Sequence, residues 1–414
     1  MKGYQMERGD MMVREAVILL LFFTLILSGT SYGAEKYGYK LGKSGALLYI
    51  EGDVATGYET NVFHSPDKVV AHPVYGTKSG LEKSDFFLAM EVGAHIKGAW
   101  NEKNKYKAGV AIGGKRYSNH DVLDETTGKV KLDSRHKINK RLKIKLHADF
   151  RKKERDETNI FGDKYIQEYS YRSIYTGPDF IFVIRPEDKN RERKFGETLL
   201  TLKGRYKDKD YDEPPAPYES YDYTEHRSIV AMEQVIAEKY QLELEYDQRA
   251  REYREDLAKE ANGGDNVLGK KRELEYRSIM VGVKAKLNKR GKVAVELTAR
   301  EREDTYQDYD SYSAKILDVH FDYDFDDKNT IEVKGDYETR KYKRRTAPSP
   351  GVNPKLDYTY FDFSIEYDYK FHYKRKLYLE FERKSRDSNT EDENISIRRA
   401  YTNYVLWAGV KVRY

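Results

Sequence analysis

The 414-residue chain is 35% charged and 13% aromatic, has no cysteine, and balances 75 Lys+Arg against 70 Asp+Glu for a net charge of +5. Absent cysteine excludes disulfide scaffolds, thiol-anchored lipoproteins, zinc fingers and covalently attached haem, and a mean hydropathy of −0.87 excludes a polytopic helical membrane protein. The balanced charge lacks the basic clustering of a nucleic-acid binder, while 37 Tyr, 16 Phe and 2 Trp argue against disorder. Ten prolines and no low-complexity linker point to one continuous architecture.

The first element is an address. Arg14-Glu15 precedes the apolar run Ala16 to Leu27, and the small-residue stretch Ser28 to Ala34 follows. The run is about 12 residues, too short for a helix that needs roughly 20 to span a bilayer. Basic flank, short apolar core and small residues read as a secretory signal peptide over 1–33, with Ser31 and Gly33 at the small positions before cleavage. An uncleaved anchor or a buried helix is the alternative. Residues 34–414 then form a single exported domain.

From Ala46 onward the dominant period is two. Leu142, Ile144, Leu146, Ala148 and Phe150 alternate with Arg141, Lys143, Lys145, His147 and Asp149. Tyr240 to Asp247, Leu317 to Phe325 and Phe361 to Phe371 repeat the pattern, one face apolar or aromatic and the other nearly all charged. Gly177-Pro178 interrupts one such run: Tyr169, Tyr171 and Tyr175 are odd, Phe180, Phe182 and Ile184 even, which predicts a bulge.

Turn signals alternate in kind along the chain. Short polar turns fall near 101–104, 139–141, 187–192, 238–239, 288–291, 326–329 and 372–375. Longer connections fall near 64–82, 119–128, 157–163, 212–220, 257–270, 346–355 and 389–394, with a tight turn at 306–308 completing that set. One rim therefore differs from the other. The segments between them number about 16, with both termini on the short-turn side.

A sandwich hides an apolar strand face inside; a membrane barrel turns it outward. Tyr404 and Tyr414 flank Leu406, Ala408, Val410 and Val412, and Phe361 and Phe371 bracket a run of the same length. Ten residues at roughly 3.3 Å rise, tilted about 40°, span about 25 Å, the height of the lipid-facing band of a membrane barrel. Aromatic residues at both ends of such bands suit a headgroup girdle, for which a sandwich has no use. The expectation is an all-β, transmembrane, antiparallel up-and-down β-barrel of about 16 strands with a charged lumen.

The carboxyl end reads Trp407-Ala408-Gly409-Val410-Lys411-Val412-Arg413-Tyr414. It resembles the last strand of Gram-negative outer-membrane β-barrel proteins, porins among them, whose terminal pattern of Gly, apolar residue and final aromatic is read by the barrel-assembly machinery. Gly409, Val412 and Tyr414 match; Trp407 departs from the polar position. The last hairpin, Glu382 to Asn389 and Tyr401 to Tyr414, also looks loosely like barrels associated with exopolysaccharide and PEP-CTERM systems or with surface-lipoprotein export.

If the apolar face meets lipid, the charged face lines the interior. Arg141, Lys143, Lys145, Asp149, Arg151, Lys203, Arg205, Glu243, Glu245, Asp247, Asp318, Asp322, Asp324, Glu332, Lys334, Asp336, Glu366, Asp368, Glu380, Lys411 and Arg413 fall on it. Basic residues gather at 141–153 and acidic ones at 318–336 and 362–368, a distribution that sets a field across the lumen. No enzyme constellation emerges: the nine histidines are scattered, no two at metal-ligand spacing, so neither a catalytic site, a metal nor a cofactor is expected. A passive channel for small hydrophilic solutes or ions is the leading expectation. The alternatives are a partner-dependent export barrel for polysaccharide or surface protein, and a closed structural barrel. Expected partners are outer-membrane lipid and the barrel-assembly machinery, with either a homotrimer or a periplasmic export partner, and no nucleic acid. A porin would fold a loop inward as a constriction, and 64–82 and 257–270 are the segments long enough.

Overall fold

The computed structural model describes residues 39–41, 46–62, 84–158, 164–168, 170–185, 195–212, 221–264, 266, 268–346, 354–389 and 400–414. The expected leader over 1–33, the loop 64–82 and the turn 187–192 lie outside the described residues. The first strands are β1 (Tyr39–Leu41), β2 (Ala46–Glu59), β3 (Asp85–Ala99), β4 (Asn104–Tyr117), β5 (Glu125–Lys137) and β6 (Leu142–Thr158). Next come β7 (Lys164–Glu168), β8 (Tyr171–Arg185), β9 (Phe195–Tyr211), β10 (Tyr223–Ile236), β11 (Tyr240–Leu257) and β12 (Lys271–Lys286). The last are β13 (Gly291–Asp304), β14 (Tyr312–Asp324), β15 (Asn329–Thr346), β16 (Lys355–His372), β17 (Arg375–Ser388) and β18 (Tyr401–Arg413).

Neighbouring strands pair antiparallel, and β18 returns to β2 in register from Val405↔Glu59 to Arg413↔Glu51, so the sheet closes. Sixteen strands form the ring, as expected; β1 is a short extension against β2, and β7 pairs with the end of β6. Closure removes the sheet edges that an open sheet would present to lipid.

The period-two pattern decides which way each face points. Leu244, Val281, Leu297, Leu379 and Leu406 are all more than half exposed. An apolar surface of that extent belongs against hydrocarbon rather than water. The charged residues take the concave side. There Lys411 on β18 reaches Glu366 on β16 (3.1 Å) and Lys115 on β4 reaches Glu59 on β2 (2.9 Å), each over an intervening strand. Strands two apart are about 10 Å from one another, and inward curvature lets such side chains converge.

Four of the short turns share one device. The side-chain oxygens of Asn101, Asn139, Asn288 and Asp326 each accept backbone N–H groups two and three residues on, at 2.7 to 2.9 Å. This Asx geometry turns the chain without glycine at the tip. The β10–β11 turn differs: in its three-residue connection Ala237 and Glu238 both take positive φ (51° and 56°), and the Lys239 N–H donates to the Ile236 carbonyl (3.2 Å).

At Gly177-Pro178 the structure overturns the expected bulge. Pairing of β6 with β8 keeps one register from Leu142↔Phe182 to Lys153↔Tyr171. Tyr171 and Tyr175 therefore face the lumen, with the Lys209 ammonium 3.7 Å from the centroid of the Tyr171 ring and the Arg205 guanidinium 6.0 Å from that of Tyr175. Gly177 answers a close approach instead: a Cβ there would lie 1.9 Å from the Gly204 carbonyl oxygen.

The β18–β2 seam carries its own lock. Glu59 (6% exposed) accepts hydrogen bonds from Lys115 Nζ (2.9 Å), Tyr117 OH (2.8 Å) and Asn403 Nδ2 (2.7 Å). Asn403 Oδ1 in turn accepts the Asn61 N–H (3.0 Å). Phe87 packs edge-on to Trp407 at 4.4 Å beside this network, under the Lys115 ammonium at 3.8 Å. Trp407, which departs from the polar position of the terminal pattern, still acts as a polar group here, its indole N–H donating to Glu382 (2.9 Å).

Candidate functional site

The candidate site is the wall of the lumen. Lys143, Lys145, Asp149 and Arg151 stand on the inward face of β6, Lys203 and Arg205 on β9, and Glu243, Glu245 and Asp247 on β11. Asp318, Asp322 and Asp324 follow on β14, Glu332, Lys334 and Asp336 on β15, Glu366 and Asp368 on β16, Glu380 on β17, and Lys411 and Arg413 on β18. Arg141 lies in the turn before β6, its carbonyl accepting the Val183 N–H (2.7 Å). Ion pairs knit much of this wall: Lys203–Glu245 (3.1 Å), Arg227–Asp247 (2.7 Å), Lys284–Glu243 (2.7 Å) and Lys376–Asp368 (2.6 Å). Charges held this way satisfy one another while leaving a polar, hydrated surface.

Register then sorts charge around the ring. Four consecutive strands place Glu296, Asp318, Asp336 and Asp362 directly opposite one another in a row. A second row, nearer the short turns, sets Asp322 against Glu332, Glu332 against Glu366 and Glu366 against Glu380. On the other wall Lys97 opposes Lys107, Lys129 opposes Arg151, Arg135 opposes Lys145 and Lys137 opposes Lys143. β15, centre of the acidic rows, and β6, in the basic wall, lie eight strands apart in a ring of sixteen. They face each other across the lumen. The acidic side borders a recess of about 770 Å³ lined by Glu296, Asp318, Asp336, Asp362, Glu380 and Lys384 among others.

Sequence reasoning missed a second feature. Toward the long-loop rim the inward face changes from paired charges to tyrosine stacked with arginine. Arg251 lies 4.3 Å from the Tyr223 ring centroid, Arg302 4.3 Å and Arg340 4.6 Å from that of Tyr312, and Arg386 5.2 Å from that of Tyr401. Tyr312, Tyr342, Tyr358 and Leu356 are buried together. The signal was present as the phase of Asp247, Arg249, Arg251 and Tyr253, which continues the charged face of β11 into an aromatic.

The long-loop rim is also tied down. Asp310 (2% exposed) is the acceptor for Arg345 and for Arg272 (2.6 Å), with Arg302 at 3.8 Å. Of the two loops expected to narrow the channel, 257–270 is fastened to the neighbouring turn: the Ala261 N–H donates to Gln307 (2.8 Å), and Tyr306 OH and Gln307 Nε2 donate to Glu260 (3.0 and 2.5 Å). Burial pushes the Asp304 carboxyl at this rim above its ordinary range. The Tyr306 and Asp310 amides oppose that shift and the Asp310 charge adds to it.

The expected girdle residues Tyr404 and Phe371 are exposed on the outer face, and Phe361 stacks on Phe363 there. Tyr414 exchanges backbone hydrogen bonds with Ile50 (2.8 Å each) and accepts one from Arg375 at its hydroxyl (2.9 Å). Gly409 lies under the Tyr378 ring, where a Cβ would approach to 2.5 Å. Val412 pairs with Gly52 across the seam. His320 Nε2 lies 3.1 Å from Asp322 and 3.0 Å from Glu332, a grouping that a search for histidine pairs passes over.

No protein family and no curated protein matches this sequence. Solved structures similar to it include OccAB1 of Acinetobacter baumannii (10% identity, 88% of this chain and 96% of that one, TM-score 0.49). OmpT, an outer membrane protein of Vibrio cholerae, is similar over 89% and 99% of the two chains (10% identity, TM-score 0.43). A porin of Rh. blastica in a mutant form covers 89% and 100% (12% identity, TM-score 0.37). The likeness is one of barrel architecture and brings neither substrate nor partner with it.

Proposed function

We propose that the chain is a porin-like channel of a Gram-negative outer membrane, passing small hydrophilic solutes or ions by diffusion and carrying out no chemistry on them. The observation that carries this reading is the opposition of acidic and basic rows across a sixteen-stranded ring, a diameter that leaves room for water. A hydrated lumen tolerates such rows, whereas a dry plug would have to neutralise each charge within it. Delivery would follow the route of other barrels: export behind a cleaved leader, and recognition of Gly409, Val412 and Tyr414 by the barrel-assembly machinery. Tyr404, Tyr414, Phe361 and Phe371 would sit at the headgroups. The buried Tyr–Arg collar at the long-loop rim favours a second reading, in which the channel opens fully only with a partner, as an export barrel would.

The test is planar-bilayer recording of the purified barrel with reversal potentials in a salt gradient. Stable unitary steps support the channel, and a double change Asp318→Asn, Asp336→Asn should shift the reversal potential toward anions. Silence from folded protein would reject the open channel and place the partner-gated barrel first.

A further inference from the structure

We propose that His320, Asp322 and Glu332 form a binding site for a first-row divalent transition metal, with Zn²⁺ as reference ion, on the lumen wall near the short turns. The proposal does not require that the barrel conducts. His320 and Asp322 are two apart on β14 and so share a face, and Glu332 on β15 is the direct cross-strand partner of Asp322. Both carboxylates converge on the same ring nitrogen, Nε2, at 3.1 and 3.0 Å. One nitrogen carries at most one proton, so it cannot donate linearly to two acceptors, and two opposed carboxylates repel. His147 shows the satisfied alternative elsewhere on the wall: Nδ1 meets Asp133 (2.6 Å) and Nε2 meets Asp179 (3.0 Å), one carboxylate per nitrogen.

A cation among the three atoms resolves the conflict. The ligand atoms already lie within 4.8 Å of one another. Around Zn²⁺, ligands at about 2.0–2.2 Å in tetrahedral directions stand roughly 3.4 Å apart, so the set needs little rearrangement. Imidazole selects Zn²⁺, Cu²⁺ or Ni²⁺ over Mg²⁺ and Ca²⁺, and three protein ligands leave a position for water or a solute. The side chains of His320, Asp322 and Glu332 are 42%, 42% and 29% exposed, and His320 and Asp322 border a recess of about 310 Å³. Lys334, 2.5 Å from Glu332, competes for one ligand oxygen and weakens the site.

Isothermal titration of the folded full chain in detergent with Zn²⁺ tests this, with Mg²⁺ as control and folding of every variant checked by heat-modifiable gel migration. The expected result is saturable binding of Zn²⁺ that Mg²⁺ does not reproduce, weakened at least about tenfold by His320→Ala and by Glu332→Gln. Lys334→Ala should tighten it, since a competing positive charge is gone. No saturable binding, equal binding of Mg²⁺, an unchanged affinity in His320→Ala, or no tightening in Lys334→Ala would each overturn the proposal. None of these readouts depends on conductance, so the channel reading and the metal site can fail separately.

Discussion

Glu59 is where closure of the barrel is most exposed to a single change. Glu59→Ala removes the acceptor shared by Lys115, Tyr117 and Asn403 and leaves a largely buried ammonium without its carboxylate. Breaking a buried ion pair from one side costs about 3–5 kcal/mol. The contact of Lys115 with the Phe87 ring survives, at 3.8 Å, and such contacts contribute about 0.5–2 kcal/mol. The expected loss is therefore at the lower end, about 3 kcal/mol. Glu59→Gln keeps an acceptor but not the charge and should lose about 1.5–3 kcal/mol, the worth of a charge-assisted hydrogen bond. Adding Lys115→Met to Glu59→Ala removes the stranded charge and should recover most of the loss. Urea unfolding in lipid vesicles, followed by tryptophan fluorescence, measures all three. A single variant no less stable than wild type by about 1 kcal/mol, or a double variant worse than the single, would refute the assignment of the seam to this network.

Asp310→Ala should remove the carboxylate shared by Arg345, Arg272 and Arg302, leaving Arg272 with Asp256 (2.8 Å) and Arg302 with the backbone carbonyl of residue 310 (2.7 Å). The long-loop rim should loosen, seen as faster tryptic cleavage within 256–272 while the barrel stays heat-modifiable; unchanged cleavage would count against this role. Gly409→Ala should slow refolding into lipid without any assembly factor, because its Cβ meets the Tyr378 ring, and Tyr378→Ala should restore the rate. If Gly409→Ala refolds normally in vitro, the glycine serves recognition rather than packing. The Asp304 carboxyl, raised by burial, binds its proton more tightly in the folded state. Its stabilising contribution is complete below the unfolded value of about 3.9 and fades as pH rises through the folded one. The stability of wild type relative to Asp304→Asn should thus be greatest in acid, and an advantage that grows toward neutral pH contradicts the shift.

The barrel was legible because lipid imposes a strict rule on every strand. Leu142 to Phe150 and Phe361 to Phe371 alternate without exception, and the contrast between Asx turns and long connections assigns strands to rims. Tyrosine was the weak letter of that code. Tyr404 faces out and Tyr378 faces in, since a phenol tolerates both a headgroup and a cation. This is why Tyr171 and Tyr175 suggested a bulge that the register denies, and why the Tyr–Arg collar went unread. The His320 grouping was hidden for another reason: Glu332 is ten residues away and meets Asp322 only through the pairing of β14 with β15.

The like-charge rows bear on function more than the ion pairs do. Ion pairs such as Lys203–Glu245 are what a polar wall needs for its own stability. Carboxylates opposed across strands work the other way: each such pair is unfavourable, by up to about 1 kcal/mol. Glu296↔Asp318 and Asp336↔Asp362 repeat that penalty on one wall, while Lys129↔Arg151 and Arg135↔Lys145 repeat it on the other. Exchanging members between walls would have relieved both. Opposite partners offset part of the cost, as Lys284 does for Glu296 (3.7 Å) and Glu91 for Lys129 (2.6 Å), and departures of this kind from local rules concentrate where a protein acts. Separated rows on facing walls maintain a field across the lumen, which a solute crossing it must meet.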